Sequence, residues 1–140
     1  MIITKENLEE IVKEFSQRSD IVFHGSPHEI SDAVEGGLVK EVIYASDDFY
    51  YGAFMAILGL QDYGRAEVGY DNGKVRLSIN MQFVNGESRL EKGFLYILDK
   101  KDFEDTHNNH EFESKSKQVA ILEVHEVDPN IFAGMITVIE

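Results

Sequence analysis

Ile21-Val-Phe-His-Gly-Ser-Pro27 and, further on, Glu41-Val-Ile-Tyr-Ala-Ser-Asp47 are the stretches on which the fold turns. Each begins with β-branched and aromatic residues that suit a half-buried strand, then switches abruptly to small and turn-forming residues. Side chains at such strand ends face a cleft. There His24 supplies ring nitrogens, Ser26 a hydroxyl and Tyr44 a flat aromatic face, and Gly25 leaves the backbone open to close approach.

Outward from these two strands the pattern predicts the rest. Leu8, Ile11, Val12 and Phe15 recur at helical spacing behind Thr4, which predicts an amphipathic helix over Lys5–Gln17. Ser46-Asp47-Asp48 is a helix-capping run, and a mostly buried helix is expected from Phe49 to Leu60, weakened by Gly52 and ending near Gly59. Ala66–Tyr70 and Lys74–Ile79 alternate around Asp71-Asn72-Gly73 and predict a hairpin. Phe94–Leu98 reads as a buried strand and Asp99–His110 as loop or a short helical turn. Val119–Val124 and Met135–Ile139 read as closing strands joined across Asp128-Pro129-Asn130. Two early helices followed by strands predict an α+β fold with an antiparallel or mixed sheet.

At 140 residues the chain is expected to be one domain with a single apolar core. Hydrophobic content of 43% and charged content of 28% fit a soluble globular protein, and no apolar run is long enough for a membrane span. The N-terminus lacks the marks of a secretory signal, and zero cysteines excludes disulfides and thiolate chemistry, so a cytoplasmic location is expected. Thirteen Lys plus Arg against 26 Asp plus Glu gives a net charge of −13, which opposes nucleic acid as a partner.

His24-Gly-Ser26, followed by Ile43-Tyr-Ala-Ser-Asp47 opening a helix, resembles the NAD-binding half of the ADP-ribosyltransferase superfamily, in particular its poly-ADP-ribose-polymerase-like branch with a His-Tyr-Glu pattern. The resemblance covers residues 21 to 60 and implies an ADP-ribosyltransferase-like split sheet with flanking helices. It also implies NAD as substrate, transfer of ADP-ribose to an unidentified acceptor, which could be a small molecule, and no metal. Position by position, it implies that His24 bonds a ribose hydroxyl, that Gly25 and Ser26 hold the nicotinamide carboxamide, and that Tyr44 stacks on the nicotinamide ring. An ungapped count places the second stacking residue at Met55, so Tyr51 or Phe54 has to serve. Cleavage of the nicotinamide–ribose bond develops positive charge on the sugar, so a carboxylate must reach the cleft. Glu113, just before the Val119–Val124 strand, is preferred over Glu111, with Glu123 a further candidate.

Two other readings stand beside this one. The same scaffold could serve as a nucleotide-binding or protein-interaction module without catalysis. His107 and His110, with Asp105 or Glu111 nearby, have a spacing compatible with a metal site, although a solvated loop is the simpler reading of that stretch.

Overall fold

The computed structural model describes residues 1–29, 33–35, 42–58, 66–80 and 90–139. Its strands run β1 (Ile2–Ile3), β2 (Ile21–Ser26), β3 (Ala33–Glu35), β4 (Tyr44–Ser46), β5 (Ala66–Asp71), β6 (Lys74–Asn80), β7 (Gly93–Asp99), β8 (Phe103–Asp105), β9 (Glu111–Ser114), β10 (Gln118–Val127) and β11 (Ile136–Ile139). Helix α1 spans Leu8–Ser16 and α2 spans Phe49–Ile57. The fold is α+β, as the pattern of elements predicts.

Among the described residues the strands form two sheets. The larger runs β1-β10-β7-β2-β4-β9-β8, with β3 also paired to β10, and the smaller runs β11-β6-β5. Both are mixed, since β1 lies parallel to β10 and β11 parallel to β6 among otherwise antiparallel pairs. The last two strands therefore do not meet: a 3-10 turn at Pro129–Phe132 carries the chain from the large sheet to the small one. Of the two expectations for Asp99–His110, the short helical turn is found, as a 3-10 turn at Lys100–Asp102, and it leads into a strand that was not expected, β8.

Local chemistry explains the element ends. Helix α1 starts later than its periodicity suggests, because the Asn7 carboxamide accepts from the Thr4 N–H at 2.8 Å and donates to the Ile2 carbonyl at 2.9 Å. That side chain closes a turn between β1 and the helix instead of capping α1. At α2 the cap is Asp48, whose Oδ1 accepts from the Tyr50 N–H at 2.9 Å, and the Ser46 hydroxyl accepts from the Asp48 N–H at 3.0 Å. The β5–β6 hairpin turns through Asn72 (φ 53) and Gly73 (φ 81), the left-handed pair that matches strand twist. Gly59 and the Gly36-Gly37 pair lie outside the described residues.

One face of the large sheet carries Ile21, Phe23, Leu95 and Ile97 against α1, α2 and the small sheet's Leu77 and Ile79. Fully buried side chains such as Phe54, Ile57 and Phe132 each contribute about 2 kcal/mol. The opposite face gathers Val22, Ala45, Tyr96, Leu98 and Phe112. Helix α2 lies almost on the backbone of β2 and β7. A Cβ on Gly25 would sit 2.1 Å from the Gly52 carbonyl oxygen, and one on Gly93 would sit 1.7 Å from that of Ala56. Gly52, a liability for helix propensity, faces the Phe23 Cβ, so the same close contact explains its place in the helix.

Candidate functional site

The site begins at a seam. Strand β2 pairs with β7 along its whole length, yet it pairs with β4 at Phe23 and Ser46 alone. Where the two strands part, the His24 Nδ1–H donates to the Tyr44 carbonyl at 2.7 Å. A carbonyl only accepts, so Nδ1 carries the proton and Nε2 of the neutral ring is an acceptor. Burial lowers the His24 pKa, with the Tyr44 bond opposing that shift, and the ring stays neutral at pH 7.

Strand register decides which side chains share a face. His24 stands opposite Tyr96, their rings 6.3 Å apart, on the face that holds Val22 and Ala45. Tyr44 alternates onto the other face, where its direct partner across the ladder is Glu113, and Ser46 is likewise opposite Glu111. The structure thus brings Tyr44, Glu113 and Glu111 together on the helix-covered side, and it joins His24 to them through main chain. Glu104 of β8 extends the row beyond Glu113.

The remaining expected residues divide. Tyr51 of α2 lies close to Glu111: burial raises its pKa first, and the Glu111 charge adds to the rise. Phe54 is fully buried and packs edge-on against Phe132, as part of the core. Met55, by contrast, is exposed. Gly25 gives up its Cβ space to α2, so that side of its backbone is covered by helix, and Ser26 accepts a local bond from the His28 N–H at 3.1 Å. Glu123 sits elsewhere, where it is ion-paired with Arg18 and bonded to His125 Nε2 at 3.1 Å. Partial burial pushes its carboxyl up, but those two partners hold it below the usual value.

Just past the other end of β4 a second group of polar side chains borders a cleft of about 440 Å³ between α1 and the start of α2. The His110 Nδ1–H donates to Asp47 Oδ1 at 2.6 Å, and the His110 ring lies 4.6 Å from that of Tyr70. The Tyr70 hydroxyl donates to Asp48 Oδ2 at 3.0 Å. Burial raises the Tyr70 pKa strongly, as does the Asp48 charge, so its phenol stays protonated. Nothing in the sequence spacing announced this group, because Asp47, Tyr70 and His110 come from three separate elements. The only visible signal was the capping run at Ser46–Asp48.

His107 and His110 do not share a helix face. Both adopt left-handed backbone, at φ 63 and φ 66, and His107 is 88% exposed beside Asp105. Among the described residues no three His, Asp or Glu side chains converge as a metal site, and no helix is long and apolar enough to cross a membrane. No protein-family model, curated protein or solved structure matches the chain.

Proposed function

We propose that the protein is an NAD-dependent ADP-ribosyltransferase-like enzyme, with the split-sheet fold of that superfamily, that transfers ADP-ribose to an acceptor such as a small molecule. The observation that carries this reading is the direct cross-strand pairing of Tyr44 with Glu113 on one sheet face. An aromatic ring that holds a planar leaving group and a carboxylate that stabilises the cationic sugar must be neighbours, and opposed strand residues stand about 5 Å apart. The division into two sheets and the order β2, β4, β9 support it further.

In this mechanism Tyr44 stacks on the nicotinamide, with Tyr51 as the second aromatic. As the bond to nicotinamide breaks, its electron pair leaves with the ring, and the Glu113 carboxylate offsets the charge left on the ribose. Glu111 is engaged by the Thr106 hydroxyl at 3.0 Å and lies one strand position pair away, which favours Glu113 as the acid. His24 enters as a positioning residue that fixes the main chain at Tyr44.

Nicotinamide release from NAD tests the reading. Glu113→Gln should leave NAD binding intact and slow release by about 100-fold, the scale for an electrostatic contact made in the transition state. Equal loss in Glu111→Gln alone would reassign the acid. A non-catalytic module is the second reading, favoured by the burial of Phe54 and the α2 cover over Gly25. NAD binding by calorimetry without nicotinamide release in wild type would select it, and absence of both would leave a protein-interaction domain.

A further inference from the structure

We propose that the cleft between α1 and the start of α2 is a second ligand site, one that takes a small neutral aromatic molecule carrying a hydroxyl. The proposal stands without the NAD reading. At about 440 Å³ the cleft has the size of a small-molecule pocket, and Val12, Phe15, Phe49 and Tyr50 give it a largely aromatic wall. Such a wall suits a flat ring, because stacked and edge-on aromatic contacts add to plain burial.

The hydroxyl follows from His110. A carboxylate accepts and cannot donate, so the 2.6 Å bond to Asp47 fixes a proton on Nδ1 and leaves Nε2 as the ring's second hydrogen-bonding atom, which a hydroxyl can meet as donor or as acceptor. The ring is held from a second side by Tyr70, whose own hydroxyl is tied to Asp48. Asp48 has both oxygens engaged, by Tyr50 N–H and Tyr70, and Arg18 is paired with Glu123. Neither competes for the ligand. A ligand carboxylate would meet Asp47 and Asp48, and a ligand ammonium would meet Lys100, which also lines the cleft. A neutral hydroxyl avoids both repulsions.

The test uses the full chain and two probes, para-fluorophenol and fluorobenzene, followed by fluorine NMR. Wild type should bind para-fluorophenol saturably and about 10-fold more tightly than fluorobenzene, the scale of one hydrogen bond. His110→Ala should abolish that preference and leave fluorobenzene binding unchanged, and Asp47→Asn should reduce the preference by freeing the imidazole to turn. Ser16→Trp, at an exposed α1 position that lines the cleft, should block both probes. Equal affinities in wild type, no saturable binding, a preference that survives His110→Ala, or binding unaffected by Ser16→Trp would each overturn the proposal.

Discussion

Two histidines of this protein are anchored in the same way and stand in different surroundings. His24 and His110 each commit Nδ1 to an oxygen, at 2.7 Å and 2.6 Å. At His24 the oxygen is a backbone carbonyl, the ring lies half-buried beside Tyr96, and desolvation lowers its pKa. At His110 the oxygen is a carboxylate on a cleft, and the side chain is 45% exposed. A histidine held by main chain inside a sheet is structural support; one held by a side chain at a cavity mouth presents its second nitrogen to whatever enters. The lesson is that the partner and the depth assign the role, since the residue and its bond length are shared.

That contrast can be broken at several points. The seam is packed against backbone, so Gly25→Ala should cost about 3 kcal/mol in urea unfolding, the upper end of overpacking, because the new Cβ meets the Gly52 carbonyl and the Ala56 nitrogen and neither can rotate away. A cost below about 1 kcal/mol would mean that α2 does not sit on β2 as described.

His24→Ala should cost about 1 kcal/mol at pH 7.5, the scale for losing one hydrogen bond, here the one to the Tyr44 carbonyl. The pH dependence sharpens the point. The folded pKa of His24 lies below the ordinary value, so the unfolded chain binds the extra proton first. Its stabilisation is complete above about pH 6.5 and is lost as pH falls below that. The stability gap between wild type and His24→Ala should therefore narrow between about pH 7.5 and 5. A gap that widens toward acid would show that this imidazole is charged in the fold.

His110→Ala should change stability by less than about 0.5 kcal/mol, because its contact with Asp47 is partly exposed and water can replace it. If it cost as much as His24→Ala, the two histidines would be equivalent supports and the contrast would fail.

The strand through His24 was legible because Ile21–Phe23 is a continuous apolar run with a sharp polar end; the apolar pattern puts the second strand at Val42–Ala45, whereas pairing with β9 sets it at Tyr44–Ser46. The hairpin was legible because Asn72-Gly73 is the one dipeptide in its stretch that tolerates two left-handed residues. Strands β1, β3, β8 and β9 were not legible, since two to four residues carry too little periodicity to distinguish them from loop. The two-sheet division was hidden for another reason: β11 finds β6 in parallel, and no local turn announces such a pairing.

Less of the site was legible. His24 and Tyr44 come from neighbouring strands, but their side chains stand on opposite faces and so do not border one shared cleft, and Tyr44 is the cross-strand partner of Glu113. But whether side chains share a face depends on register, and a shift of one residue would reverse it.

By itself the sequence determined the fold class, the helix and hairpin positions, and the residue types from which a site can be built, because propensity, period and turn chemistry act within a few residues of chain. Only the tertiary structure decided that Tyr44 pairs across the ladder with Glu113 and not with His24, that Gly25 serves a helix, and that Asp47 and His110 meet at a cleft with Tyr70 against the His110 ring. Those outcomes depend on which strands pair and in what register, a choice made by burying the apolar faces of distant segments together.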